Sequence, residues 1–220
     1  TSSYAHLFSR YRAKMIIMAS NLWKKIIIAV ILLSLGSYGV IAFFQGDNAG
    51  LVPPRFIERR NEVAELLKKL ASTPDTDLSS LNVFEQKHDF VGALNILEEA
   101  TKANNELVSL IQSLILKTDL IMAEAEDIND IILRPQALGA LGELQRGNRL
   151  MSDYFELRAT LFLKLKTYYS DLIIKGEALP PDIKTEARSV SDYIGRAQEA
   201  YDLFNKKIDV FDRAAGLKYR

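Results

Sequence analysis

The stretch Ile183 to Ala215, IKTEARSVSDYIGRAQEAYDLFNKKIDVFDRAA, decides how the chain folds. Ile183, Ala187, Val190, Ile194, Ala197, Tyr201, Phe204, Ile208, Phe211 and Ala215 follow one another at spacings that alternate four and three. An α-helix turns once in about 3.6 residues, so this alternation sets those side chains in one stripe and leaves the charged residues on the other side. A strand would need apolar residues at every second position. The seam therefore predicts a long helix with one buried face, beginning after Pro180-Pro181 with Asp182 in its first turn.

Two similar patterns precede it. From about Asp89 to Ile132, Ala93, Ala100, Leu107, Leu114, Ile121 and Ile128 recur every seven residues. Leu97, Asn104, Ile111, Thr118, Ala125 and Ile132 form a second rung. A period of about 3.5 keeps one seam inward in a left-handed supercoil. Arg134-Pro135 is expected to end this helix, because the residue before proline avoids the α region.

From about Pro135 to Lys175, a broad apolar face comprises Leu144, Gly147, Met151, Tyr154, Phe155, Leu161, Phe162, Leu165, Tyr168, Tyr169 and Leu172. Gly176 stands where a helix-ending glycine belongs. Gly139, Gly142 and Gly147 loosen its opening or let a neighbour approach closely. A shorter amphipathic segment, Arg55 to Ala71, carries Phe56, Val63, Leu66, Leu67 and Leu70, and STPDTDLSS at 72–80 breaks it.

The connections at 133–136 and 176–181 are too short for parallel crossovers, so consecutive long helices must run antiparallel. The expected class is all-α: an up-down bundle of three long helices plus one shorter helix over residues 55–220, with coiled-coil-like packing.

The residues before the bundle have a different character. The chain holds 28 Lys and Arg against 28 Asp and Glu, but the two signs are segregated. Residues 1–25 carry Arg10, Arg12, Lys14, Lys24 and Lys25 with no acid, residues 26–44 carry no charge, and residues 45–220 carry 23 bases and 28 acids. Ile26 to Phe44, IIIAVILLSLGSYGVIAFF, is 19 residues long. As a helix it reaches about 28 Å, close to the ~30 Å hydrocarbon core of a bilayer.

Trp23, Lys24 and Lys25 supply the amphipathic flank of a membrane boundary. A buried core helix is the competing reading, but a run of this length without one charge is unusual in a core. A cleaved signal peptide has a shorter apolar core of ~7 to 15 residues and a small-x-small site, whereas Asp47 stands two positions before Ala49. The stretch is read as a transmembrane signal anchor, with Gln45 to Pro54 as linker.

The basic flank places the N-terminus in the cytoplasm and the bundle outside. The expected location is a bacterial inner membrane. A mitochondrial inner membrane is the alternative, suggested by the acid-free start TSSYAHLFSRYRAK. Residues 1–17 precede Met18 and read equally as a native segment or as a leader, cloning remnant or over-extended reading frame.

Composition removes much chemistry. Without cysteine there is no disulfide framework, thiolate metal site or thiol nucleophile, and two distant histidines, His6 and His88, do not make a catalytic triad. His88 reads as a capping or surface residue. Glu124, Asp127 and Asp130, with Glu126 nearby, would share one face of a continuous helix, but without a Glu-x-x-His element they read as solvated carboxylates. No phosphate loop, HExxH or GxSxG is present, and bases are interleaved with acids, so neither cofactor, metal nor nucleic acid is expected. The chain also has no Asn-x-Ser/Thr acceptor.

The segment Lys87-His88-Asp89-Phe90-Val91-Gly92-Ala93-Leu94 through Glu98-Glu99-Ala100 resembles the second helix of a tetratricopeptide repeat, although no further repeat of ~34 residues follows. One anchor followed by an exported helical bundle is also similar in plan to periplasmic adaptor, stalk and four-helix sensor domains.

These readings lead to a non-catalytic scaffold or adaptor that works through helix-face contacts with membrane or envelope proteins. Its candidate partner face is Val108, Ile115 and Met122, which lie off the main ladder. The alternative is a ligand module with an interior cavity lined by Tyr154, Phe155, Phe162, Tyr168, Tyr201 and Phe204. Self-association is a further expectation, although Gly36 and Gly39 are spaced three apart rather than the four of GxxxG.

Overall fold

The computed structural model describes residues 51–73, 78, 80–179, 181 and 184–217. The anchor residues Trp23, Lys24, Lys25, Ile26 and Phe44 lie outside them. Every regular element among the described residues is an α-helix: α1 (Pro54–Ser72), α2 (Leu81–Gln86), α3 (Phe90–Glu126), α4 (Leu133–Lys175) and α5 (Lys184–Ala214). None of these helices is long and apolar enough to cross a membrane.

The chain divides into two compact units, each drawing on α3, α4 and α5. The first comprises 73–109 and 153–194, and the second comprises 51–72, 110–152 and 195–217, among the described residues.

In the first unit α2 joins α3 through a tight corner. His88 has φ 54, in the left-handed region. Its N–H donates to the Glu85 carbonyl at 3.2 Å, and the Asp89 N–H to the Phe84 carbonyl at 2.9 Å, which is the double closure that ends a helix on a left-handed residue. Asp89 then caps the next helix, its Oδ1 accepting from the Gly92 N–H at 2.9 Å. His88 is therefore an exposed capping residue, as its position predicts. The segment resembling a tetratricopeptide helix is this corner and the start of α3.

Leu78, Leu81, Ala93, Leu97, Ala100, Phe162, Leu165 and Tyr169 pack into one core cluster. Tyr169 stacks on Phe90 with centroids 6.3 Å apart, and Asn104 Nδ2 donates to the Phe155 carbonyl at 3.0 Å. Later residues of α3 thus meet earlier residues of α4, the antiparallel pairing that the short connection predicts. α2 was not anticipated, because a six-residue helix is too short to display a periodicity.

In the second unit the α3 ladder lies inside: Ile111, Leu114, Ile121 and Ala125, with Ile128 in the turn that follows, are all at most 1% exposed. On α5, Ala197, Tyr201, Phe204, Ile208 and Phe211 are buried as the seam predicts, as is Ala215 just past its end. Val190 and Ile194 are buried in the first unit, while Ile183 and the side chain of Ala187 lie outside the described residues. Lys207 Nζ reaches Glu143 Oε1 at 2.7 Å and Arg146 Nη2 reaches Glu199 Oε2 at 3.2 Å, so α4 and α5 also run antiparallel here. α1 docks by Phe56 against Phe211, with ring centroids 5.6 Å apart.

The α3–α4 boundary corrects the sequence reading. α3 ends at Glu126 and α4 begins at Leu133, before Pro135. Proline is tolerated in a first turn, where its absent N–H would have no intrahelical partner. Asp130 starts α4: its Oδ1 accepts from the N–H groups of Ile132 and Leu133, each at 2.8 Å. Ile132, expected to complete the second rung, is consequently 63% exposed in the turn. Gly176, with φ 74, ends α4 in the position expected of it.

Candidate functional site

A chain of hydrogen bonds crosses the interior of the second unit. Tyr201 Oη donates to Asn148 Oδ1 at 3.0 Å, Asn148 Nδ2 donates to Thr118 Oγ1 at 3.0 Å, and Thr118 Oγ1 donates to the Leu114 carbonyl at 2.7 Å. The three side chains are 0% exposed. Burial raises the Tyr201 phenol well above its ordinary value, so it stays protonated and keeps donating. Gly147 makes room for that ring: a Cβ there would meet Tyr201 Cε1 at 2.8 Å. Gly139 and Gly142 have nothing within 4 Å of an added Cβ, so close approach is a property of Gly147 alone among these three.

A second buried polar contact links α1 to α5. Arg60 Nη1 and Nη2 donate to Asp212 Oδ1 and Oδ2 at 2.6 and 2.7 Å, with the Asp212 side chain only 1% exposed. Such a two-pronged pair matches a planar guanidinium to a carboxylate and fixes orientation. Nearer the surface, Lys117 Nζ at 2.6 Å and Arg59 Nη1 at 3.0 Å hold the Glu62 carboxyl below the usual carboxylate range.

Neither arrangement was assigned from sequence. Asn104 and Thr118 sit on a predicted rung, and Tyr201 on the predicted seam, so their burial was legible. Asn148 beside Gly147 and Asp212 beside Phe211 were not read as interior residues. The signal available was a polar side chain adjacent to a core position on a helix face about 100° wide.

The predicted aromatic cavity is divided between the units. Tyr154, Phe155, Phe162 and Tyr168 belong to the first unit, and Tyr201 and Phe204 to the second. Within the first unit Tyr154 packs on Phe155 at 5.1 Å between centroids, and Phe162 lies in the core cluster beneath the Arg158 guanidinium, 5.1 Å from its ring centroid. Tyr168 is half-buried against that cluster. These rings fill interior space. Tyr201 belongs to the hydrogen-bonded chain described above, and Phe204 is 6% exposed.

The predicted partner face is not an open one. Val108, Ile115 and Met122 are each half-buried along the edge of α3. Leu116 and Leu120, further round the same helix, are 65% and 45% exposed. The carboxylate row is broken by the helix end at Glu126: Asp130 caps α4 instead of extending the face of Glu124 and Asp127. Among the described residues no cluster of metal-ligating side chains is present.

One end of the second unit presents two adjacent exposed isoleucines. α1 begins there at Pro54, and α5 finishes there, since Phe56 meets Phe211 and Arg60 meets Asp212. The first turns of α4 lie alongside, because Lys207 bridges to Glu143 Oε1 and the Gly139 carbonyl. The α3–α4 turn at 127–132 closes the same end, presenting Ile131 at 85% and Ile132 at 63% exposure.

No protein-family model matches the chain, and no curated protein and no solved structure matches it.

Proposed function

We propose that the chain is a single-pass, membrane-anchored helical scaffold, non-catalytic, that binds other membrane or envelope proteins through a face of α3. The anchor is the uncharged Ile26–Phe44 stretch with Trp23, Lys24 and Lys25 at its cytoplasmic edge. The acidic remainder then stands on the far side of a bacterial inner membrane, as an up-down bundle with coiled-coil-like packing. The heptad ladder of α3 and the antiparallel pairing within each unit support that arrangement.

One observation carries the adaptor reading. Leu116 and Leu120 project from α3 at 65% and 45% exposure, one turn apart, on the side of the helix away from its buried ladder. Single exposed leucines are ordinary, but two spaced one turn apart on one helix face give the i, i+4 anchor spacing that a partner helix can use.

The test is crosslinking in intact membranes with the full chain and with L116E/L120E. Because both leucines are exposed, the double variant should keep the parent melting temperature while losing a crosslinked, co-purifying protein. Retention of the same crosslinked species by the variant would show that this face is not the docking surface.

A further inference from the structure

We propose that the α3–α4 turn is a second membrane contact, in which Ile131 and Ile132 insert into the headgroup boundary of the bilayer that the Ile26–Phe44 anchor crosses. The proposal rests on the anchored reading given above and adds a lipid-binding site to it.

Two consecutive isoleucines at 85% and 63% exposure are an unexpected choice for a helix–helix turn, where polar residues serve the backbone better. The turn is also braced. Asp130 Oδ1 holds the N–H groups of Ile132 and Leu133, Arg134 Nε donates to the Ile128 carbonyl at 2.8 Å, and Ile128 itself is 0% exposed. Its buried anchor and capped start present the pair outward instead of letting it fold back onto the core.

Position supplies the occupant. The chain enters the second unit at the end where this turn lies, and nine residues, Gln45 to Pro53, separate that entry from Phe44. Nine residues reach at most about 30 Å. The turn is thereby held within reach of the bilayer surface. Two isoleucines would not retain a free domain on a membrane, but a tethered one meets the surface at an effective concentration in the millimolar range. A weak apolar contact then becomes populated.

The local charge states what kind of contact this is. Glu126, Asp127 and Asp130 flank the isoleucines. The site is therefore apolar insertion into neutral lipid, not attraction to an anionic surface.

The absence of cysteine makes the test direct, since I132C introduces a unique thiol for an environment-sensitive fluorophore. The labelled full chain is reconstituted into phosphatidylcholine vesicles, with and without a nitroxide lipid of shallow depth. A control carries the label through Q112C, an exposed position on α3 in the same unit, 14 residues or about 21 Å before that helix ends at Glu126. The expected result is blue-shifted emission from position 132, quenched by the nitroxide lipid, with position 112 unshifted.

Adding I131E should return the signal to that of water, and replacing part of the lipid by phosphatidylglycerol should not strengthen it. Emission typical of water at 132 in a chain that resists alkaline extraction would overturn the turn's role while leaving the anchor intact. A blue shift without nitroxide quenching would assign the pair to a protein partner or a second copy, and also overturns the proposal. Release of the chain by alkali would remove the anchored reading and this one together.

Discussion

The two units bury polar groups in different ways. In the first, Asn104 donates to a backbone carbonyl, that of Phe155, and Arg158 lies over the ring of Phe162. In the second, side chain meets side chain: Arg60 with Asp212, and Tyr201 with Asn148 with Thr118. A helix offers a carbonyl at every residue, and an apolar seam repeating every seven residues fits its partner almost as well after a slip of seven. A carboxylate buried against one guanidinium has no equivalent neighbour to slip to. The first unit has side-chain pairs as well, Tyr169 Oη with Glu85 at 2.9 Å and Lys164 with Glu186, but each ends on a partly exposed carboxylate; only the second unit sets its register with a carboxylate that is itself buried, that of Asp212.

The largest effect expected from this contrast is at the ion pair. Asp212→Ala should cost about 3 to 5 kcal/mol in chemical denaturation, because it leaves the Arg60 charge buried without its partner. The double variant R60M/D212L should recover most of that stability, and its amide spectrum should broaden as registers exchange. Sharp, single resonances in the double variant would show that the pair does not specify register.

Next in size is the crowded glycine. Gly147→Ala places a Cβ against the Tyr201 ring and should destabilise by about 1 to 3 kcal/mol despite the better helix propensity of alanine. Gly139→Ala, facing open space, should stabilise by up to about 1 kcal/mol. Opposite signs in thermal melts of the two variants would bear out the close approach, and equal signs would refute it.

In the first unit, Leu165→Met conserves volume and should cost less than about 1.5 kcal/mol, since no side-chain pair depends on it. The smallest effect concerns pH. Glu62 is held below the ordinary carboxylate range, so its contribution is complete above that range and fades as pH falls through the lowered value. Glu62→Gln should flatten that part of the stability profile, as read from denaturation midpoints across acidic pH.

Much of this architecture is written in periodicity. The α3 ladder and, from Val190 onward, the α5 seam are buried as read, because a helix face is a local property of spacing. The α3–α4 boundary was misread, because Pro135 was given the role of a terminator when it occupies a first turn. Asp130, three residues before Leu133, was the better signal. α2 escaped because it has too few residues to show a period.

The candidate residues fared differently. Val108, Ile115 and Met122 were chosen by their distance from the ladder, but how far a neighbour covers a helix edge depends on packing that no single-helix pattern contains. Arg60 and Asp212, 152 residues apart, could not be matched from spacing at all. Only Tyr201 and the two polar rung positions announced themselves, and their partners came from tertiary structure.

The central claim is that one uncharged stretch holds this bundle on the far side of a membrane. Protease accessibility of the full chain in bacterial spheroplasts, scored after alkaline extraction of the membranes, tests it most directly. The account predicts that the chain stays in the extracted membrane pellet and that its bundle is digested from outside the intact spheroplast. Recovery of the chain in the alkaline supernatant, or a bundle digested only when the cytoplasmic face is exposed, would contradict it.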